Sequence, residues 1–549
     1  MEKMKIILGI NGGTLPGNQD SSASIIKDGK IVACIEEERF TRIKHAPGVL
    51  PENSINFCLQ EAKISIKDVD CIVFACETYT NMKQILLNFF NFKFGYCPKI
   101  YFVNHHLAHA SSAFYLSGFK DSFIITADLS GDNKSTVLFY ANKFGIKEIK
   151  SYSKPNSLGL FYATITQYLG FRYDNDECKT MALAGFKSKT NCIISDFLKI
   201  NDNEYTVNTK YLMNGIFPGR TNPSRQEPLF NNYLINKLKR QQRLENWKID
   251  NCYLSVAKTA QEQLEQSYFA LIKQLKNSKY KSNNLCLAGG VALNAQLNSK
   301  ITYSNEFENI FVPPCAGDNG TSLGGALFVA NKYKSFVSNT ITSTYLGDSF
   351  SNKEIKKELD RLKIKYRYHK NIAEIVAKKL SLNKIGAIFH DRMEYGPRAL
   401  GNRSILANPK NPKIKDILNK EFKHRELFQP FAPSVIKEKA QDYFIFPKTK
   451  CDYDFMIVNV KVKEEKKNDI ISAIHIDNTA RIQIVNKKNN SYFYNIIKEF
   501  GKKTGVYVLL NTSLNTKGMP IARTPQDALS VFFTTPMDFI TLGNYLLEK

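Results

Sequence analysis

The chain has no Cys-x-x-Cys pair. Its eleven cysteines are scattered over 549 residues, which leaves no paired-cysteine metal or redox motif and fits a reducing, cytoplasmic setting. No signal-peptide core forms either, because "MEKMKIILGINGG" breaks on Asn and Gly after a short apolar run. No apolar stretch reaches the roughly twenty residues that cross a bilayer. Even "QILLNFFNFKFGY" is interrupted by Asn and Lys, so no membrane partner is expected. A concentrated basic face is missing too. The net charge of +25, from 76 Lys and Arg against 51 Asp and Glu, would attract phosphate backbones if it were gathered. The lysines are instead spread along the whole chain among many Asn and Ile, so anionic small substrates are expected and nucleic acid is not.

What is present is core-forming material, 43% hydrophobic with 12% aromatic residues, enough for two or three domains. Two segments echo one another. "KIILGINGGTLPGNQDSSASIIKDGKIVACIEEERF" and "DSFIITADLSGDNKSTVLFYANKFGIKEIKSY" each read as strand, polar turn, strand, tight turn, strand. A duplicated three-stranded unit of this kind, with Asp, Ser and Gly in its turns, can wrap phosphate and face a metal. It resembles the actin-like and sugar-kinase ATPases, against the plainer reading of any α/β protein with polar hairpins. Two more glycine-rich turns follow, "LCLAGGVALNAQLN" and "VPPCAGDNGTSLGGAL", each placed between an apolar run and a helix.

Three of the eight histidines fall within five positions of "YFVNHHLAHASSAFYLSGF". The pattern predicts a strand, Asn104 as N-cap and an Ala-rich helix. His105 and His109, at i and i+4, can converge on one ion. His106 with His109 is the alternative pair, and plain core histidines are a third reading.

Beyond about residue 342 the glycine-rich pattern stops, and a second domain over 343–549 is predicted after a first over 1–342. Its densest stretch, "FHDRMEYGPRALGNRSILANP", carries Arg392, Arg398 and Arg403, and "FKHRELFQPFAPSV" adds Lys423 and Arg425. Arginines on a Gly/Pro loop suit two-pronged binding of phosphate or carboxylate; surface ion pairs to Glu394 and Glu426 are the other reading. "GVYVLLNTSLNTKGMPI" reads as a strand exposing Asn511, Thr512 and Ser513 at its end.

Six ordered motifs, "HHLAHASSAFYLSGF", "AGGVALNAQLN", "GDNGTSLGGAL", "RMEYGPRALGNRSILANP", "FQPFAPSV" and "LLNTSLNTKGMPI", resemble the NodU/CmcH family of O-carbamoyltransferases over nearly the whole chain. The resemblance implies an N-terminal actin-like ATPase-type, ribonuclease H-like domain and a C-terminal YrdC-like α/β domain. It also implies that carbamoyl phosphate and ATP give carbamoyl-adenylate and pyrophosphate in the second domain. The carbamoyl group then passes in the first domain to a hydroxyl of a sugar, nucleotide-sugar or natural product. The implied ligands of a divalent metal, of the Fe(II) type, are His105, His109, Asp128 and Asp318. Gly131, Lys179, Gly289, Gly290 and Asn319 would lie at the nucleotide, with Mg accompanying ATP. Arg398, Lys423, Arg481 and Asn511 would hold carbamoyl phosphate. A homodimer is compatible with this organisation.

The departures are local. Gln19-Asp20 stands where the family has His-Asp, which shifts the proton-accepting role to Asp20 beside His105 and His109 as the catalytic set. Gln429 replaces an arginine at the carbamoyl phosphate, and "ECK" and Met519-Pro520 replace "EGK" and "GEPI". Two rival expectations stand beside the main one: a transferase of the tRNA threonylcarbamoyl type, and a nucleotide-binding scaffold without turnover.

Overall fold

The computed structural model describes residues 4–15, 18–188, 194–213, 227–244, 247–334, 340–341 and 343–549; the predicted boundary residue 342 lies outside them. Two compact units emerge, the first formed by Met1–Glu37, His45–Ile341 and Lys448–Cys451, the second by Glu38–Lys44, Thr342–Pro447 and Asp452–Lys549.

In the first unit, β1 (Ile6–Asn11), β2 (Ser22–Lys27), β3 (Lys30–Glu36), β4 (Cys71–Phe74) and β5 (Lys99–Phe102) make a sheet in the order β3-β2-β1-β4-β5. The first three strands form an antiparallel meander, and β4 and β5 continue parallel to β1. The chain then repeats itself: β6 (Asp121–Gly131), β7 (Lys134–Asn142) and β8 (Gly145–Ser153) form the second meander. A hairpin of β9 (Leu198–Ile200) and β10 (Tyr205–Val207) intervenes. Then β11 (Asn284–Ala288) and β12 (Asn309–Phe311) line up parallel to β6, with Lys450–Cys451 at the outer edge. Both sheets thus share one strand order, so the predicted duplicated unit of ribonuclease H-like, actin-like or sugar-kinase type is the observed α/β fold.

Two helices cover the facing sides. The helix His105–Ser117 packs on β6 and β11, and Thr321–Lys332 packs on β1, β2 and β4. They touch through Gly324, where a Cβ would fall 2.0 Å from the Ala108 carbonyl oxygen, so only glycine allows this approach. Each helix begins just beyond the end of a parallel strand, where α/β folds collect ligands.

The second unit is built on an eight-stranded mixed sheet, with Gly386–Phe389, Arg403–Ala407, Val508–Ser513 and Ala432–Ile436 at its centre. Alternation along the strands feeds two cores: Ile388 and Leu406 face one, Ala387, Phe389 and Ile405 the other. The segment Glu38–Lys44 belongs to this unit. Its Arg39 Nη2 donates to the Gly396 carbonyl at 2.8 Å, and Arg42 donates to the carbonyls of Pro520 and Ile521 at 2.8 and 2.7 Å. Among the described residues, no helix is long and apolar enough to cross a membrane.

A candidate metal centre and a cationic pocket

Asn104 caps the histidine helix as predicted, its side chain accepting from His106 N at 3.1 Å and Leu107 N at 3.3 Å. That start sets the rotation of the helix and turns His105 and His109 together. Asp132, in the turn after β6, fixes the same end: it accepts from His105 N at 2.7 Å, from Glu77 N and Thr78 N at 2.9 Å, and from Cys76 Sγ at 2.9 Å. Burial alone would raise the Asp132 carboxyl, but these hydrogen bonds hold it below the usual carboxylate range.

His105, His109, Asp128 and Asp318 each direct one ligand atom into a space where all four atoms lie within 4.8 Å of one another. The two Nε2 atoms are 3.1 Å apart, Asp128 Oδ2 lies 3.1 Å from His109 Nε2, and Asp318 Oδ1 lies 3.3 Å from it. The same carboxylates stand 3.6 and 3.5 Å from His105 Nε2. Asp128 sits at the irregular end of β6 and Asp318 in the short turn before the helix Thr321–Lys332. Asn11 Nδ2 donates to the Asp318 carbonyl at 3.1 Å and to the Asp20 carbonyl at 3.2 Å, tying the β1 end to the cluster.

The electrostatics fit a cation at the centre. Burial lowers the His109 imidazole, but hydrogen bonds to Asp128 and Asp318 and their charges push it up to about 9. Against the burial that favours its neutral form, Asp128 is held well below its ordinary value by His105 and His109, whereas burial and the charge of Asp128 raise Asp318. Two carboxylates and two imidazoles thus compete for protons at a partly buried site, a conflict that a divalent ion relieves. Among the described residues, nothing hydrogen-bonds to the buried His109 Nδ1. His106 belongs elsewhere: its Nδ1 pairs with Thr126 Oγ1 at 2.8 Å, and burial pushes it down to about 3, a neutral core histidine.

The residues expected at the nucleotide separate into two groups. Gly131 and Gly290 lie directly against the candidate metal ligands, and Gly289 sits next to them in the chain. A Cβ on Gly131 would fall 2.0 Å from the His105 ring, Gly290 N donates to Asp128 Oδ2 at 3.3 Å, and Gly289 N donates to the Ala316 carbonyl at 2.9 Å. Asn319 lies beside Asp318, its Nδ2 donating to Glu36 Oε1 at 3.3 Å. Lys179 pairs with Asp176 at 3.3 Å and lies 5.2 Å from the Phe171 ring. Asp20 is engaged with a histidine that sequence reasoning passed over, His45, whose Nδ1 is 2.7 Å from Asp20 Oδ1.

In the second unit a pocket is lined by Arg398, Arg425, Arg481, Asn511, Thr512 and Ser513. Arg425 is set by Asn419 Oδ1 at 2.7 Å and by the Phe431 ring at 4.6 Å. Asn511 was expected to be exposed at its strand end; it is buried, because its Nδ2 donates to Ser434 Oγ and Gln483 Oε1, both at 3.1 Å. Lys423 is buried behind this wall: Nζ donates to the Ser513 and Asn515 carbonyls at 2.6 and 2.9 Å, and burial, with Arg425 nearby, holds it well below the usual lysine range. Gln429 turns to Glu426 Oε2 at 2.6 Å. Arg403, expected among the anion-binding arginines, is fully buried and donates to the carbonyls of His390, Asn402, Asp391 and Asp348, so it ties loops together. Arg392 likewise donates to Gly347 O at 2.9 Å and Leu346 O at 2.7 Å. Glu394 is buried, and its Oε1 accepts from the backbone of Leu400, Asn402 and Arg403 rather than from a surface arginine.

A duplicated ribonuclease H-like unit with a four-ligand centre, joined to an α/β unit with an arginine pocket, defines a two-part group-transfer enzyme. The family description "Carbamoyltransferase N-terminus" matches residues 7–86 and 75–327, and "Carbamoyltransferase C-terminus" matches 377–549. Nodulation protein NolNO of Sinorhizobium fredii is 33% identical, over 99% of this chain and 82% of that protein. An uncharacterised protein of Methanocaldococcus jannaschii is 34% identical, over 99% of this chain and 100% of its own length. Among solved structures, component A of the (R)-2-hydroxyglutaryl-CoA dehydratase of Acidaminococcus fermentans aligns with 60% of this chain and 99% of its own, at 15% identity and a TM-score of 0.36. The chain belongs to the carbamoyltransferase family and is a carbamoyl-transferring enzyme with a small-molecule acceptor.

Proposed function

We propose that the protein is an ATP-dependent O-carbamoyltransferase. In this reading the second unit, of YrdC-like type, converts carbamoyl phosphate, water and ATP into carbamoyl-adenylate, inorganic phosphate and pyrophosphate. The first unit then moves the carbamoyl group to a hydroxyl of a sugar, nucleotide-sugar or natural product. The observation that carries the reading is the convergence of His105, His109, Asp128 and Asp318 within 4.8 Å. Two imidazoles and two carboxylates suit Fe(II) or a similar divalent ion, which when bound supplies Lewis acidity toward phosphate and carbonyl oxygens.

The chain's own residues divide the remaining work. Arg398, Arg425 and Arg481 line a pocket where planar guanidinium groups suit phosphate oxygens, and Thr512 and Ser513 border it. Lys423, its Nζ already enclosed by carbonyls, positions the Ser513 backbone beneath that pocket. Exchanging phosphate for AMP on the carbamoyl carbon creates a better leaving group, which lets a weak alcohol nucleophile react. In the first unit, Gly289, Gly290 and Asn319 border the ligand carboxylates where the nucleotide end of the adenylate would rest.

The test is a pyrophosphate assay with purified protein, Mg and ATP. Release that requires carbamoyl phosphate, with hydroxyurea formed on adding hydroxylamine, is the expected result. Pyrophosphate release driven instead by threonine and bicarbonate would replace this reading with the tRNA-modifying one.

A further inference from the structure

Glu38–Lys44 belongs to the second unit although the residues on either side of it belong to the first. Its base is closed where Glu37 N donates to the Ser21 carbonyl at 2.8 Å and Asp20 N donates to the His45 carbonyl at 2.7 Å. Tethered at both ends, this strap has little freedom left to lose when its side chains engage.

Arg39 is 3% exposed, and its Nη2 donates to the Gly396 carbonyl at 2.8 Å. Gly396, at φ 114°, makes the turn into Pro397, Arg398 and Ala399, which line the arginine pocket. Arg42 holds a second loop around the same pocket. Its Nη1 and Nη2 donate to the Ile521 and Pro520 carbonyls at 2.7 and 2.8 Å, and its Nε lies 3.4 Å from Asp527 Oδ1. Ile521 is buried with Ala399 and Met393, and Ala522 N donates to the Leu514 carbonyl at 2.9 Å, directly after the pocket residue Ser513. Phe40 lies 4.3 Å from the guanidinium of Arg523, the next residue of that loop. Arg42 itself has φ 59°, left-handed backbone that non-glycine residues rarely adopt and that persists where the surroundings over-determine it. Both arginines end on backbone carbonyls, so they set the path of the chain around the pocket rather than one side chain within it.

We propose that Arg39 and Arg42 are positioning residues of the arginine pocket: they hold 396–399 and 520–522 on the path that brings the Arg398 guanidinium to the phosphoryl group of carbamoyl phosphate. This rests on the carbamoyl phosphate reading of that pocket given above. A guanidinium fork binds two phosphate oxygens only in a narrow geometry, and a displacement of about 1 Å in a group that positions a substrate costs up to about a hundredfold in rate.

The experiment is a double-mutant cycle on the full-length enzyme, read as kcat/KM for carbamoyl phosphate in pyrophosphate release with ATP and Mg. Arg39→Met should lower kcat/KM about tenfold, chiefly through KM. Arg39→Lys keeps a donor for the Gly396 carbonyl and should recover part of the loss. Arg42→Met and Arg42→Lys should both lower kcat/KM, because an ammonium lacks the planar fork that spans two consecutive carbonyls. On an Arg398→Ala background Arg39→Met should cost no more than about twofold, since the guanidinium it positions is gone. A merely structural tie would cost the same factor on both backgrounds; that result, or wild-type kcat/KM in Arg39→Met and Arg42→Met, would overturn the proposal. A wild type that releases no pyrophosphate with carbamoyl phosphate would instead defeat the reading beneath it. Melting followed by circular dichroism establishes that each variant is folded at the assay temperature. Should Arg39→Met not fold, Arg42→Met, at a side chain 22% exposed, carries the same cycle with Arg398→Ala.

Discussion

Gly131 shows how a single missing side chain serves the centre. A Cβ there would meet the His105 ring at 2.0 Å, closer than any real contact, and β6 behind it cannot yield without moving Asp128. Gly131→Ala should displace the imidazole and weaken metal binding about 10- to 100-fold with little change in secondary structure, as metal titration followed by circular dichroism will reveal. The three histidines separate in the same assay. His105→Ala and His109→Ala should each abolish stoichiometric metal. His106→Ala should keep it and lose about 1 to 3 kcal/mol of stability, from a buried cavity and the lost bond to Thr126.

At the scale of elements, one acidic side chain holds the loop after β4 to the head of the histidine helix. Asp132 gathers donors from Cys76, Glu77, Thr78 and His105, so Asp132→Ala leaves several buried donors unmet. Thermal or urea melting should register a cost of about 3 kcal/mol, together with weaker metal binding. Both meanders and the capped helix were legible in the sequence, because period-two apolar runs, Gly/Asp turns and an Asn before alanines are local signals. Asp132 and His45 were not. The partners of Asp132 lie 27 to 56 residues away and that of His45 lies 25 away, and nothing in the pattern around "RIKHAPG" announces a pairing made by two distant turns. Arg403 misled for the opposite reason: an arginine between glycines looks the same whether it meets an anion or four carbonyls, and only burial separates the two.

Two histidines of the second unit, His390 and His475, are each pushed down to about 4 by burial and share the acid limb of its pH response; His390 stacks over Tyr492, with ring centroids 3.8 Å apart. Burial, helped by Arg403 and opposed by Asp391, pushes the imidazole down to about 4. In the unfolded chain it titrates near 6.5, so between about 6.5 and 4 the unfolded state binds the extra proton. Stability from this group is complete above 6.5 and drains away as the pH falls to 4, by about 1 to 3 kcal/mol. His390→Phe should make that limb of the melting temperature against pH shallower, with the contribution of His475 remaining.

At the scale of the whole molecule, the proposed function divides carbamoyl transfer between two sets of residues that share no side chain: four candidate metal ligands in one unit and an arginine pocket in the other. Duplication explains the first set, since repeating the meander brings the ends of β1 and β6, and the helices between them, to one place. The division predicts separable failures. Removal of the bound ion by a chelator that spares Mg, or His109→Ala, should stop formation of carbamoylated product while pyrophosphate release driven by carbamoyl phosphate persists, because the proposed adenylate pocket is built from residues of the other unit. Arg398→Ala or Arg481→Ala should do the reverse, cutting pyrophosphate release by about 100-fold, the order expected when a charged contact to a phosphoryl group is removed, while metal content stays stoichiometric. Loss of both activities in a metal-free enzyme that remains folded would mean that the centre serves adenylate formation as well, and the two-step division would have to be given up.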